Sequence, residues 1–113
     1  MNLLIVEDNP KMRRMIRSIV ADLAERIDEC ADGSEALSLY AAHPPDYVLM
    51  DIQMKNVGGI AATRQICERF NDARIIIVTN YNDQTFREAA REAGAFGYVL
   101  KENLLDVRRI LES

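Results

Sequence analysis

Short apolar runs alternate along the chain with longer segments in which apolar residues recur every three or four positions. The runs predict five strands, at residues 3–6, 27–31, 46–50, 73–79 and 96–100. The first run, LLIV, is apolar without interruption, which is typical of a strand covered on both faces of its sheet. The run at 73–79 is rich in β-branched residues and is predicted to be central, whereas the run at 27–31 has the weakest pattern.

Each predicted strand is followed by a segment with helical periodicity. The five predicted helices cover residues 10–23, 32–43, 59–70, 83–94 and 102–113. Pro10 suits the first turn of the first helix, and Gly94 suits the end of the fourth. Asp32 or Ser34 is expected near the start of the second. In the first helix, the apolar residues follow the spacing of a helix that buries one face: Met12, Met15, Ile16, Ile19, Val20 and Leu23.

Strand and helix alternate five times, and every connection between strands is a helical segment rather than a tight turn. Such connections join parallel strands, and crossovers of this kind are right-handed. The pattern therefore predicts an α/β domain with a doubly wound, three-layer fold, in which helices cover both faces of one parallel sheet. In this class, ligands bind at the carboxyl ends of the strands, near the point where the strand order reverses.

Composition supports one domain over residues 1–113. Hydrophobic residues make up 49% of the 113 residues, enough for a core without disulfide bonds. The formal net charge of −4 argues against direct binding of nucleic acid or of an anionic membrane by this domain. There is no signal-peptide pattern, and no apolar run approaches the roughly 20 residues of a membrane helix. We therefore expect a cytoplasmic protein that does not contact membrane.

The two cysteines, Cys30 and Cys67, lie far apart and form no CxxC pair. Zinc binding and redox chemistry are therefore not indicated. Both are predicted to be buried free thiols in a reducing compartment.

Polar or charged side chains that could bind a ligand or react follow four of the five predicted strands. Glu7 and Asp8 follow the first, Asp51 follows the third, Thr79 and Asn80 the fourth, and Lys101 the fifth. If the first and third strands are neighbours, three carboxylates lie within a few ångströms, where like charges raise each other's pKa. A divalent cation would relieve this repulsion. The hard oxygen ligands favour Mg²⁺, with Mn²⁺ as the alternative, over zinc.

Each of these residues also has a simpler structural interpretation. Asp8, two residues before Pro10, could be a helix N-cap, and Asp51 could be a turn or cap residue. Lys101 could be a solvated surface lysine, and Thr79 an ordinary strand end. Their joint occurrence at the ends of successive strands favours a functional site over these separate interpretations.

The segments LLIVEDNPKMRRMIRSIV, YVLMDIQM followed by GG, IIIVTN and AGAFGYVLKENLLDVRRIL closely resemble the receiver domain of two-component response regulators. The resemblance covers essentially the whole chain, with the motifs in the right order. It implies the flavodoxin-like (βα)5 fold with strand order 2-1-3-4-5.

The resemblance also implies a role for each strand-end residue. Asp51 corresponds to the phospho-acceptor, which takes a phosphoryl group from a phosphohistidine of a sensor histidine kinase. Asp8 should ligate Mg²⁺ directly, Glu7 should act mainly through bound water, and the backbone carbonyl of Gln53 should complete the protein ligands together with Asp51. Lys101 corresponds to the lysine that contacts the phosphoryl oxygens.

Two further residues correspond to the family's conformational switch, the hydroxyl of Thr79 and the ring of Tyr98. The output surface is then expected to comprise the helix at 83–92, the strand that holds Tyr98, and the closing helix. Partner binding, or homodimerisation, is expected on this face. Arg13, Arg14 and Arg17, which lie off the apolar stripe of the first helix, are predicted to be a solvated face, with docking of the kinase as the alternative.

The sequence departs from the family pattern at three positions. Lys55 and Glu102 stand where many receivers have proline, and the second change is common in regulators with a C-terminal helix-turn-helix output domain. On this basis, LKENLLDV favours a fragment that precedes a DNA-binding domain, with transcription as the output. Asn80 stands where most receivers have a small residue, and it is expected to crowd the approach to Asp51.

The predicted function is a phosphorylatable signalling domain rather than an enzyme, one that catalyses only its own phosphoryl transfer and autodephosphorylation. The alternatives are a pseudo-receiver that acts as an interaction module, and a stand-alone receiver that acts by protein contact. An aspartyl phosphohydrolase is disfavoured, since such enzymes commonly carry an acid two residues after the nucleophile. Here that residue is Gln53.

Overall fold

A computed structural model describes all 113 residues of the chain. Five parallel strands form one sheet in the order β2-β1-β3-β4-β5, as predicted. Their bounds are Asn2–Val6 for β1, Arg26–Cys30 for β2, Tyr47–Met50 for β3, Ile75–Thr79 for β4 and Gly97–Leu100 for β5. The chain order reverses at β1, which pairs with β2 on one side and with β3 on the other. This is the doubly wound α/β fold that the sequence pattern predicted, with the flavodoxin-like strand order that the family resemblance implied.

The helices are also confirmed, with small differences at their ends. They are α1 at Pro10–Val20, α2 at Gly33–Ala42, α3 at Gly59–Arg69, α4 at Gln84–Ala93 and α5 at Leu105–Glu112. A 3₁₀ turn, Ala21–Leu23, extends α1, and another, Lys101–Asn103, joins β5 to α5. No helix is both long enough and apolar enough to span a bilayer.

Two apolar cores lie on opposite faces of the sheet, because alternate residues of each strand point to opposite sides. One core packs α2, α3 and α4 against residues such as Val6, Met50 and Ile77. The other packs α1 and α5 against residues such as Ile5 and Val78. Since both faces are covered, the inner strands have no polar side, which explains their uninterrupted apolar runs.

The strand positions confirm one expectation and explain another. β4 is buried along its whole length and pairs with β3 on one side and with β5 on the other, so the β-branched run at 73–79 forms an interior strand, as predicted. β2 is an edge strand whose residues are mostly only partly covered. Its weak sequence pattern follows from that position.

Helix ends show which residues cap them. Asn9 is the N-cap of α1, and its side chain accepts a hydrogen bond of 3.0 Å from the backbone N–H of Met12. The interpretation of Asp8 as that cap was therefore wrong. Asp32 caps α2, and Gly94 ends α4 in the left-handed conformation at φ +108°.

Cys30 is buried, as predicted, whereas Cys67 is half-buried rather than buried, and both are free thiols.

Candidate functional site

Three carboxylates converge at the carboxyl edge of the sheet. Val6 of β1 lies opposite Met50 of β3, so the residues that follow these two positions are brought side by side. Glu7, Asp8 and Asp51 each place a carboxylate oxygen within 4.8 Å of the others. Glu7 and Asp51 are buried, whereas Asp8 is exposed. All three line a groove at this edge of the sheet, together with residues 53–55, 79–81 and Lys101.

Lys101 reaches into the same cluster from the end of β5. Its Nζ lies 2.9 Å from Glu7 Oε1 and 3.3 Å from Asp51 Oδ1, and its side chain is only 10% exposed. The interpretation of Lys101 as a solvated surface lysine is therefore wrong. Burial disfavours the ammonium, but the close contact with the Glu7 carboxylate and the negative charge of Asp51 outweigh it, so the pKa of Lys101 is raised. The lysine is held as a cation.

Glu7 is fixed by the backbone around it. Its Oε2 accepts a hydrogen bond of 3.1 Å from the N–H of Asn9, and its carbonyl accepts one of 2.7 Å from Arg13. Oε1 faces the Lys101 ammonium but has no well-directed hydrogen bond, although it is fully enclosed. Burial raises the pKa of Glu7, and the nearby charge of Asp51 adds to the rise, while the contacts with Lys101 and Asn9 oppose it.

Asp51 is held at the strand end with one oxygen free. Its N–H donates to the carbonyl of Val6 at 3.0 Å, which continues the ladder between β1 and β3 for one residue. Oδ1 accepts a hydrogen bond of 2.9 Å from the N–H of Ile52 and lies beside Lys101, and Oδ2 makes no hydrogen bond. Burial raises the pKa of Asp51, and Lys101 opposes the rise. The geometry is that of a carboxylate fixed at one oxygen and available at the other.

The charge balance of this cluster fits a bound divalent cation. Three carboxylates face one ammonium, and Glu7 Oε1 is a buried acceptor without a well-formed hydrogen bond. Burial is the main cause that raises the pKa of both buried carboxyl groups, so a bound cation would stabilise their ionised forms. The donors are oxygens, as hard cations require. The cluster could therefore hold such an ion.

A chain of contacts connects the site to α4 and β5. Thr79 is completely buried, and its Oγ1 accepts a hydrogen bond of 3.2 Å from the N–H of Tyr81. The phenol of Tyr98 donates to the carbonyl of Tyr81 at 2.6 Å. The ring of Tyr81 stacks on Phe86 of α4 with centroids 4.7 Å apart, and its hydroxyl donates to Gln53 across the groove. Thr79 and Tyr98 are thus brought together through one loop residue.

Sequence reasoning missed Tyr81 and misjudged Arg13. The only sequence signal for Tyr81 is an aromatic residue two positions after Thr79. Arg13 is not part of a solvated face, because it is half-buried and contacts both the carbonyl of Glu7 and the carboxylate of Glu29. It joins the β1–α1 loop to β2. Arg17 also pairs with Glu29, while Arg14 is exposed.

Two of the three residues that depart from the family pattern lie at the rim of the groove. Lys55 and Asn80 line it and are exposed, and neither makes a side-chain hydrogen bond. Asn80 is thus placed where it could restrict access to Asp51. Glu102 lies just outside, in the exposed 3₁₀ turn after Lys101.

The sequence of this chain matches a known family over nearly its entire length. The family described as the response regulator receiver domain matches residues 3–112. The transcriptional regulatory protein DegU of Brevibacillus brevis is 30% identical over 113 residues, covering 98% of this chain and 47% of that protein. The chemotaxis protein CheY of Halobacterium salinarum is 39% identical over 98 residues, covering 87% of this chain and 82% of that protein.

Solved structures agree with these relationships. The crystal structure of a LuxR-family two-component response regulator from an Aurantimonas species superposes with a TM-score of 0.86 at 35% identity, covering 98% of this chain and 84% of that one. Several of the curated relatives are transcriptional regulators, and the chain spans about half the length of the first ones it matches. On these grounds the chain belongs to the response regulator receiver domain family.

Proposed function

We propose that this domain is a phosphorylatable switch in which Asp51 accepts a phosphoryl group from a phosphohistidine of a sensor histidine kinase. The observation that carries the proposal is the placement of Asp51, fixed through Oδ1 and free at Oδ2, between Lys101 and two further carboxylates. Oδ2 attacks phosphorus, an O–P bond forms, and the N–P bond to the donor imidazole breaks. The product is an acyl phosphate, which water can later hydrolyse.

The residues of the cluster fit the electrostatic demands of this transfer. Negative charge develops on the equatorial oxygens of the transferred group, so nearby positive charge stabilises the transition state. Lys101 supplies one such charge from a position already fixed by Glu7. Asp8, Asp51 and the backbone carbonyl of Gln53 would hold Mg²⁺, with Glu7 acting through bound water. When bound, Mg²⁺ supplies further neutralisation of the phosphoryl oxygens.

Thr79, Tyr81 and Tyr98 support the proposal that the output face comprises α4, β5 and α5. Without a phosphoryl group, the Thr79 hydroxyl accepts a hydrogen bond from the N–H of Tyr81. A phosphoryl group on Asp51 adds acceptor oxygens to which this hydroxyl could donate. Movement of that hydroxyl perturbs Tyr81, and with it the ring stack on α4 and the hydrogen bond from Tyr98. Phosphorylation therefore biases a two-state element at this face.

The proposed partners follow from this mechanism. A sensor kinase donates the phosphoryl group in the cytoplasm, and a second copy of the domain or an output domain binds the switched face. Relatives named as transcriptional regulators support control of transcription through a DNA-binding region outside this chain. The domain itself is proposed not to bind nucleic acid.

The time course of a reaction with a small acyl-phosphate donor tests this proposal. A switch retains about one phosphoryl group per chain in the presence of Mg²⁺ and releases it slowly. A phosphohydrolase turns over many equivalents of donor, and a pseudo-receiver retains none. Either of the last two results contradicts the proposed function.

A further inference from the structure

The carboxylate of Asp32 binds backbone groups from two distant parts of the chain. It is 6% exposed and accepts a hydrogen bond of 2.9 Å from the N–H of Ser34, within the first turn of α2. It also accepts the N–H groups of Asn56 at 2.9 Å and Val57 at 3.1 Å. A helix N-cap needs only the first of these bonds. The other two fasten the loop that follows Asp51.

That loop has few other attachments. Its base is closed by a hydrogen bond of 2.7 Å from the N–H of Gly59 to the carbonyl of Ile52. No backbone hydrogen bond is donated by residues 53–55. The backbone of the span that carries Gln53 is therefore held by hydrogen bonds only at its two ends, Ile52 on one side and Asn56 with Val57 on the other. The side chain of Gln53 makes one further contact, with the hydroxyl of Tyr81.

Gly33 brings the loop close enough for this attachment. Its N–H donates to the carbonyl of Val57 at 3.1 Å. A Cβ atom at this position would lie 2.3 Å from the same carbonyl oxygen, which is too close for any side chain. Asp32 and Gly33 together thus form a docking point for the loop, one through a charged acceptor and the other through close approach.

The strength of the attachment follows from its charge. The hydrogen bonds from Asn56 and Ser34 hold the pKa of Asp32 well below its ordinary value, so the group is ionised at neutral pH. Hydrogen bonds to an ionised acceptor are roughly twice as strong as neutral ones. If Asp32 were removed, the N–H groups of Asn56 and Val57 would lose the only acceptor that they have in the structure.

We propose that Asp32 is a positioning residue for the phosphoryl-transfer site. By holding Asn56 and Val57 it fixes the short span before them, and so sets where the carbonyl of Gln53 stands relative to Asp51. Asp32 touches neither the reacting atoms nor the cation, and it acts through the loop alone. This inference rests on the proposed function, because the carbonyl of Gln53 matters only if a cation is bound there. Residues that orient metal ligands commonly change metal affinity by about 10–100-fold when they are replaced.

Three variants test the inference. Asp32→Ala removes both oxygens, Asp32→Asn keeps one acceptor, and Gly33→Ala displaces the same loop while leaving Asp32 intact. Val20→Ala is the control, because it weakens the core between α1 and α5, on the other face of the sheet. The rate of Asp51 phosphorylation by a small acyl-phosphate donor is measured across a Mg²⁺ titration, at a temperature where each variant is folded.

We expect the half-saturating Mg²⁺ concentration to rise about tenfold in Asp32→Ala. Asp32→Asn should show a smaller rise, Gly33→Ala a rise in the same direction, and Val20→Ala none. Wild-type Mg²⁺ dependence in a folded Asp32→Ala overturns the proposal, as does an equal rise in Val20→Ala. If Asp32→Ala does not fold, Asp32→Asn decides by the same criterion.

A second measurement separates this inference from the proposed function. Amide exchange and Mg²⁺-induced chemical shifts are recorded without any phosphoryl donor. Faster exchange at Asn56 and Val57 together with weaker Mg²⁺ binding in Asp32→Asn supports the positioning role even if wild-type Asp51 is not phosphorylated. Unchanged Mg²⁺ binding in Asp32→Asn contradicts that role even if wild-type phosphorylation proceeds normally.

Discussion

Replacing Lys101 with methionine removes a buried positive charge and keeps the length of the aliphatic stem. The ammonium lies 2.9 Å from Glu7 Oε1 and 3.3 Å from Asp51 Oδ1. At an effective dielectric constant of about 20, these distances correspond to attractions of about 6 and about 5 kcal/mol. The variant also no longer has to bury an ammonium away from water, and this gain offsets much of the lost attraction. We therefore expect the free energy of unfolding to fall by about 3–5 kcal/mol at pH 7, since two buried carboxylates lose their partner.

The decrease in the free energy of unfolding caused by Lys101→Met should become smaller as the pH is lowered. Burial already raises the pKa values of Glu7 and Asp51, with Lys101 opposing the rise, so both pKa values rise further without it. A group with a raised folded-state pKa stabilises the fold below its unfolded pKa and loses that contribution as pH rises through the folded pKa. As the pH falls from 7 toward the ordinary glutamate value of 4.5, the variant should therefore regain stability relative to wild type.

Urea unfolding followed by circular dichroism, in metal-free buffer at pH 7 and at pH 5, measures both effects. Lys11→Met is the matched control, because Lys11 is exposed on α1 and makes no ion pair. It should change the free energy of unfolding by less than about 0.5 kcal/mol. A loss below about 1 kcal/mol in Lys101→Met at pH 7, or an equal loss at both pH values, refutes the electrostatic account of the cluster.

Three further outcomes are expected. Mg²⁺ at roughly tenfold above its Kd should raise the free energy of unfolding of the wild-type protein by about 1.4 kcal/mol. Asp8→Asn should raise the stability of the metal-free protein and abolish its response to Mg²⁺. Unchanged wild-type melting in millimolar-range Mg²⁺ argues against the metal site. Asn80→Ala should change the rate of phosphorylation or hydrolysis with little effect on stability; equal rates show that Asn80 does not restrict access to Asp51. An acyl-phosphate mimic should alter amide exchange in α4, at Tyr98 and in α5; changes confined to α2 contradict the proposed output face.

The order of strands and helices was predictable because each element carries its own periodic signal. β4 and β1 read as uninterrupted apolar runs since both their faces are covered. β2 has only a weak hydrophobic pattern because it lies at the edge of the sheet and its side chains are mostly only partly buried. The cap of α1 was not predicted, because only Asp8 was considered as a possible cap and Asn9 was not. Pro10 at the first helical position makes Asn9 the cap.

The structure brings together the residues that were predicted from their strand-end positions or from the family resemblance, whereas contacts between loops away from the strand ends were not predicted. Glu7, Asp51 and Lys101 meet because parallel strands present their carboxyl ends at one edge. The contact of Tyr81 with Gln53 and the attachment of Asn56 to Asp32 span 28 and 24 residues. No local periodicity encodes such contacts, because they depend on where two loops meet after the sheet has formed.

The identity of the phospho-acceptor is tested most directly by intact-mass measurement of wild-type protein and Asp51→Asn after incubation with a small acyl-phosphate donor and Mg²⁺. Asparagine preserves the size of the side chain and removes the anionic nucleophile. The account predicts one added phosphoryl group on the wild-type chain and none on the variant. A phosphoryl group on Asp51→Asn, or an unmodified wild-type chain with Mg²⁺ present, would contradict the assignment of Asp51 as the residue that carries the signal.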